Sequence, residues 1–259
     1  MTERFPKEVV VARFSRKRRL AQLVVKLKDV VGAMADINAI MAEQQVDIRQ
    51  SVTFAVQGKD YAVYNAFVWL KKEGYRLERL VEKLKKSRFV LDVQAKDGVE
   101  GAISDTLTFP IRFAGRRAML IESAALVRMF EDIQGAFGSG GSVIIHQLGV
   151  NYGKALSSGL AETLTRPYMV RNYEYGLTLF SAMGWGIATV LGASDDLSKA
   201  TVRVDECFEC QGRRGPKATG WFMGGFLSGV FSYLSAKEVR PKETKCLATG
   251  DGWCEFELS

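Results

Sequence analysis

Near its end the chain reads E-T-K-C-L-A-T-G-D-G-W-C, residues Glu243–Cys254. A carboxylate and a thiol stand with two residues between them, a G-D-G turn follows, and a second thiol closes the stretch. Thiolate sulfur and carboxylate oxygen both ligate zinc, and a structural zinc site closes with four donors. Glu243, Cys246 and Cys254 are therefore three candidate corners of a zinc site that the fold must bring together. Two plainer readings stand beside this one: cysteines that only fill space, and a disulfide across the turn.

A chain of 259 residues is long enough for one large domain or two modest ones. No apolar run reaches the length of a membrane span; Met119–Val127 is short and contains Glu122. The first residues, M-T-E-R-F-P-K-E, lack the apolar core of a signal peptide, so a cytoplasmic location is expected. Thiols and metal sites are then favoured over disulfides. The net charge of +7 is spread along the chain. Only Arg16–Arg19 and Lys85–Arg88 are dense, and a solvated face is the simplest expectation for both. Nucleic acid remains a candidate partner without a specific signal.

The N-terminal part alternates strand and helix patterns. Leu20–Leu27 is apolar and β-branched, a strand. D-V-V-G at residues 29–32 turns the chain, and Asp29 can cap the helix that follows at about Ala33–Gln45. Val46–Val56 alternates, Q-G-K-D turns, and Tyr61–Leu70 returns. A second amphipathic helix is expected over Gly74–Lys86, and a last strand over Phe89–Val93. The order βαββαβ is a ferredoxin-like layer of two helices on an antiparallel sheet. L-V-V-K-L, D-V-V-G, A-M-A-D-I-N-A-I-M-A and V-D-I together resemble the ACT domain, although Val31 stands where that family usually has proline. The resemblance implies effector contacts at Asp29, Val31 and Gly32, commonly between paired domains. The turn glycine also has a purely conformational explanation.

Lys96–Thr106 carries two glycines and no helical period, which sets the expected boundary between a domain 1–97 and a domain 98–259. Beyond it the patterns predict a short strand at Phe109–Phe113 and helices at Ile121–Ala136, Ser142–Leu156 and Tyr168–Met183. Gly149 and Gly153, four apart, leave room for a neighbouring helix. Strands follow at Gly184–Leu191 and Ala200–Cys207, then an almost wholly apolar helix, Trp221–Leu234, and final strands at Lys237–Lys245 and Trp253–Leu258. A helix apolar all round is buried.

E-C-F-E-C-Q-G at 206–212, G-W-F-M-G-G-F-L-S-G-V-F at 220–231, then E-T-K-C and A-T-G-D-G-W-C, resemble the 4-vinyl reductase domain over about the last 150 residues. That family shares its fold with TRAPP tethering subunits and supplies sensor domains for phenols and other aromatics. The resemblance implies an α+β C-terminal domain with zinc beside an apolar pocket, and zinc ligands at Glu243, Cys246 and Cys254. The family's fourth ligand, a cysteine, falls on Gly220 here. Cys207 and Cys210 are substitutes; on a strand they would face opposite sides, and Cys210, nearer a loop, is preferred. Water or a ligand could also fill an open position. The pocket lining is expected to include Trp185, Trp221, Phe222 and Phe226, although rings at helical spacing also build plain cores.

No phosphate-binding loop and no dinucleotide fingerprint is present, and the sole histidine, His146, sits midway along a predicted helix without a visible partner. The sequence therefore favours a non-enzymatic regulator or sensor for an apolar or aromatic small molecule, built as a homodimer and acting through a partner protein. Its rivals are an adaptor in a macromolecular complex, with or without nucleic acid, and an accessory subunit of a reductase.

Overall fold

The computed structural model describes residues 5–15, 18–70 and 75–259. Arg16, Lys17 and Gly74, in the basic run and at the expected start of the second helix, lie outside them. The chain divides into two compact units, one ending at Ile111 and one beginning at Arg112.

The first unit contains β1 (Ala12–Phe14), β2 (Leu20–Lys28), α1 (Ala33–Glu43), β3 (Val46–Ala55), β4 (Tyr61–Leu70), α2 (Leu77–Lys85), β5 (Val90–Asp97) and β6 (Ala102–Ser104). Four strands form an antiparallel sheet in the order β3-β4-β2-β5, the βαββαβ arrangement expected from the sequence. Strand alternation sends Ala21, Leu23, Val25 and Leu27 to one face, where Ile37 and Met41 of α1 and Leu80 and Leu84 of α2 cover them. Each of the larger buried side chains here, Leu, Val, Ile or Met, stabilises by roughly 1.5–3 kcal/mol. Asp29 does not cap α1. The N-cap is Gly32 at φ +90°, without a side-chain hydrogen bond. Val31 projects fully into solvent.

The sheet's other face accounts for residues 98–111, which the sequence assigns to the second domain. β6 pairs with β1, an N-terminal strand too short to show a period, and Ile103 packs on Leu20 and Phe67. Behind it Asp105 gathers donors. It accepts from Gln22 Nε2 at 2.6 Å, Asn65 Nδ2 at 2.7 Å and the backbone N–H of Leu107 and Thr108 at 3.1 and 2.9 Å, and also from the Thr108 hydroxyl. Burial raises the Asp105 carboxyl pKa, but these hydrogen bonds outweigh it and the net shift is downward. The sign follows: a depressed folded pKa stabilises above the unfolded value of about 3.9 and is lost as pH falls through the folded value. Hydrogen exchange should show residues 102–111 losing protection on acidification below about pH 4, where the unfolded carboxyl takes up its proton. Asp105→Asn should start about 1–3 kcal/mol less protected and respond little to acid, because its amide meets donors with a donor.

The basic run is not simply solvated. Arg18 lies 4.2 Å from the Trp69 ring centroid, and Arg19 binds Asp97 through two hydrogen bonds of 2.9 and 2.6 Å. These charges brace the unit.

The second unit contains β7 (Arg112–Phe113), β8 (Arg116–Arg117), α3 (Ser123–Phe137), α4 (Ser139–Leu164), α5 (Arg166–Arg171), α6 (Tyr173–Ala182), β9 (Ile187–Ala193), β10 (Ala200–Asp205), α7 (Trp221–Ser235), β11 (Pro241–Lys245) and β12 (Cys254–Leu258). The sheet order is β11-β12-β10-β9, antiparallel throughout. Several boundaries differ from expectation. Phe109–Phe113 is not one strand; only Arg112–Phe113 pairs, with Arg116–Arg117. The G-S-G-G break shrinks to Gly138, at φ +53°, and α4 starts at Ser139. A Cβ on Gly141 would lie 2.7 Å from the Ile133 carbonyl, so glycine lets the α3–α4 hairpin close. The expected helix over 168–183 is jointed at Asn172, which leaves helical geometry at φ −120°, ψ 38°.

α7 packs on the sheet, with Met223, Leu227 and Phe231 against Val202, Val204 and Phe256. Its two buried serines grip one residue: Ser228 donates to the Val239 carbonyl and Ser232 accepts from the Val239 N–H. Arg166 donates to the Tyr233 and Leu234 carbonyls, satisfying the C-terminal end of α7. α4 lies against α7 at backbone contact. A Cβ on Gly149 would sit 2.2 Å from the Phe222 carbonyl oxygen, and one on Gly153 2.3 Å from that of Phe226. Gly225 and Gly229 reciprocate, against the carbonyls of His146 and Val150 at 2.1 and 2.2 Å. His146 is thus half-buried on a packing helix.

Candidate metal centre and apolar cleft

Four side chains from three places converge beneath the start of α7. Cys210, Glu243, Cys246 and Cys254 each offer a donor atom, and these atoms all lie within 4.8 Å of one another. Glu243 and Cys246, three positions apart, would face opposite sides of a regular strand. The β11–β12 register shifts between Glu243 and Lys245, and that irregularity re-aims the strand. Cys254 opens β12 opposite Val204 of β10.

Cys210 arrives on a turn. β10 ends at Asp205, Glu206 takes φ +52°, and the Cys210 N–H donates to the Cys207 carbonyl at 3.1 Å. The residues 206–212 are therefore not strand, and the expectation that Cys207 and Cys210 face opposite sides fails. Both thiols turn inward, and Cys207 interacts with the sulfurs of Cys210 and Cys254 while standing outside the four-donor group. All four cysteines are free thiols, not disulfides.

Gly220 has a positive role. Its N–H donates to Glu243 Oε2 at 2.9 Å, and a Cβ there would lie 2.8 Å from Glu243 Oε1 and 2.9 Å from the Phe256 ring. Any side chain at 220 would push the carboxylate away, so a glycine here and a donor at Cys210 belong together. Around the group, the Leu247 N–H points to Cys254 Sγ at 3.4 Å and the Thr219 hydroxyl to Cys210 Sγ at 3.6 Å. Asp251 accepts from the Cys246 N–H at 2.8 Å and from the Thr249 hydroxyl, holding the G-D-G turn. Such outer contacts orient ligands.

The group's protonation depends on whether a cation sits among the donors. Burial, then the neighbouring Cys246 sulfur, push the Glu243 carboxyl up to about 9. Thiols of Cys210 and Cys254 directed at Cys246 hold it well below the usual thiol range. The neighbouring sulfurs hold the Cys210 and Cys254 thiols above the usual range, so without a cation only Cys246 ionises, and a positive charge among the four would be needed to ionise the rest. Glu243 Oε1 is buried without a hydrogen-bond partner among the described residues, an orphan acceptor where a metal would bond. The set fits a metal ion that accepts soft sulfur with one oxygen.

Glu209, invisible as a functional residue in the sequence, sits fully buried beside Cys210. Its two oxygens accept from the backbone N–H groups of Phe222 and Met223 at 2.9 and 2.8 Å, capping α7. Burial raises its pKa to about 8, against these hydrogen bonds and Arg213. A glutamate in a C-x-x-C turn carries no sequence signal for this role.

The four expected pocket residues separate. Trp185 packs within 5.1–5.7 Å of the rings of Tyr152, Phe180, Phe208, Phe222 and Phe226, and Phe222 stacks on Phe130 at 5.2 Å. Trp221 is half-buried in the same cluster, with Arg213 5.9 Å away. Only Phe226 of the four reaches the apolar cleft between α4, α5, α6 and α7, which also takes Leu156, Met169, Leu177 and Val230. Ser157, 2% exposed, places a polar side chain in its wall. The turn Asp29–Gly32 is exposed in the first unit.

Residues 200–259, which hold β10, the C-x-x-C turn, α7 and the closing hairpin, match the family model of the V4R domain. This end of the chain is similar to the V4R domain. Among solved structures, the phenol-responsive sensory domain of the transcription activator PoxR, with phenol, is 19% identical over 56% of this chain and 77% of that one, with TM-score 0.47. A vinyl-4-reductase family protein from Methanocaldococcus jannaschii is 17% identical over 55% and 83%, with TM-score 0.39. The ACT domain from GTP pyrophosphokinase of Chlorobium tepidum is 23% identical over 30% and 96%, with TM-score 0.26. No curated protein matches the chain in sequence. All four donors, Cys210, Glu243, Cys246 and Cys254, fall within the matched residues 200–259. No helix among the described residues is long and apolar enough to cross a membrane.

Proposed function

We propose that this protein is a small-molecule-binding regulator in which a zinc ion staples the V4R domain and an apolar aromatic ligand occupies the cleft against α7. One observation carries this: the same helix borders both places. Gly220, the residue that caps α7, holds Glu243 through its N–H, and farther along α7 Phe226, Val230 and Leu234 wall the cleft. Zinc would be held by Cys210, Glu243, Cys246 and Cys254. When bound it supplies charge balance and a cross-link between the 206–212 turn and the closing hairpin. Four protein donors leave no open coordination position, which suits a structural ion.

The cleft encloses a void of about 40 Å³. A cavity that takes benzene is nearer ~150 Å³, so a ring enters only if α5 and α6 move away from α7. α5 buries none of its residues and is jointed to α6 at Asn172, so α5 moves at little packing cost, whereas α6 would have to draw Leu177 and Phe180 away from α7. Ligand occupancy would then shift the α5–α6 position, to be read by a partner chain. The ACT-like unit would pair two copies or take an effector at Asp29, Val31 and Gly32.

Phenol is a suitable probe: its ring fits the apolar wall and its hydroxyl fits Ser157. Calorimetry on the full chain should detect phenol binding, weakened about tenfold in Ser157→Ala, which corresponds to about 1.4 kcal/mol, with metal content unchanged. Absence of heat and of thermal stabilisation with phenol, toluene and related aromatics would refute the ligand proposal.

A further inference from the structure

Cys207 is the cysteine that the four-donor group leaves out. It is fully buried in the core of the second unit, and its thiol interacts with two of the donors. The Cys210 N–H bonded to the Cys207 carbonyl makes 207–210 a tight turn. Such a turn brings the first and fourth Cα atoms within about 7 Å, the range that a disulfide spans. Cys207 itself is fully buried, but its chain neighbours Glu206 and Phe208 line a groove. A Cβ on Gly186 would lie 3.3 Å from the Cys207 Cα, and Gly184 and Gly186 both hold positive φ, at +85° and +142°. These glycines, with Glu206, Phe208 and Gln211, border an open groove of about 530 Å³. Local opening at two glycines gives a small oxidant access to the buried thiol.

We infer that Cys207 is an oxidation site: peroxide joins Cys207 to Cys210 as a disulfide, and the metal is released because Cys210 no longer donates a thiolate. The inference rests on the metal site proposed above. The steps balance. The Cys207 sulfur attacks peroxide, the O–O bond breaks, and a sulfenic acid and one water result. The Cys210 sulfur then attacks the sulfenic sulfur, the S–O bond breaks, and the oxygen leaves as a second water. The two sulfurs lose two electrons and peroxide gains them; the Cys207 proton goes into water, and because Cys210 is a thiolate on the metal, the departing oxygen takes its second proton from solvent. Glu243, Cys246 and Cys254 remain, one donor short of a closed site.

The test uses the zinc-loaded full chain and hydrogen peroxide, with zinc release read by a chromogenic chelator and disulfides mapped by mass spectrometry of non-reduced peptides. Wild type should release zinc and yield a Cys207–Cys210 peptide. Cys207→Ala and Cys207→Ser should bind zinc one to one and release it at least tenfold more slowly. Release from both variants at the wild-type rate, or a disulfide joining Cys210 to Cys246 or Cys254 instead, would overturn the inference. The metal-stripped chain separates the two ideas: the Cys207–Cys210 bond should still form under peroxide there. A chain that never takes up zinc ends the metal proposal alone.

Discussion

Cys246→Ser should lose its metal and melt more than about 10 °C below wild type in the second unit, and a strong chelator should do the same to the native chain. A structural zinc site contributes on the order of 10 kcal/mol of apparent binding energy, and the site forms only in the fold. A serine hydroxyl does not ionise near neutral pH, so the variant has three donors. Burying the hydroxyl by itself costs about 1–3 kcal/mol, which is the smaller effect. For a unit of this size each kcal/mol moves the midpoint by about 2–4 °C, so the metal loss dominates the shift. Cys207→Ser changes the same chemistry a few ångströms away and separates the two effects. It should keep the metal and lose only the few degrees that the hydroxyl explains. Calorimetric scans with and without chelator read both.

The second large effect is expected at the α4–α7 crossing. Gly225→Ala would gain about 1 kcal/mol of helix propensity if α7 were isolated. Its new Cβ, however, would fall 2.1 Å from the His146 carbonyl oxygen and 3.0 Å from its carbon, both backbone atoms that no rotamer change can move. The helices must separate, and the reciprocal contacts at Gly149, Gly153 and Gly229 loosen with them. Overpacking typically costs about 1–3 kcal/mol, and four linked contacts place this site at or above the top of that range. Gly225→Ala should therefore destabilise by about 3 kcal/mol net. Gly176→Ala, with nothing within 4 Å of its new Cβ on α6, should be neutral or slightly stabilising. Urea unfolding of both variants checks the sign as well as the size.

The features legible in the sequence are those set by local pattern. The βαββαβ order shows in alternation over Val46–Ala55 and Tyr61–Leu70 and in the helical spacing of Leu77, Leu80 and Leu84. The glycine pair 149/153 announced a close helix, and α7 announced its burial by lacking any polar face. What stayed hidden depends on contacts between distant segments. β1 and β6 are three residues each, and only their mutual pairing defines them. Asp105 reads as a loop residue until Gln22 and Asn65 face it. The turn at 206–210 reads as a strand continuation, because E-C-F-E-C carries no glycine or proline to mark the break, and Glu206 adopts its positive φ without one. Trp185 and Phe222 read as pocket lining, but the rings around them fill the space.

The closing measurement is native mass spectrometry with elemental analysis of the full chain, purified without tag or chelator. One zinc per chain is predicted, retained in Cys207→Ser and lost in Cys246→Ser. A folded chain that carries no metal, and gains none when zinc is added, would show that the three sulfurs and the carboxylate beneath α7 meet for packing alone.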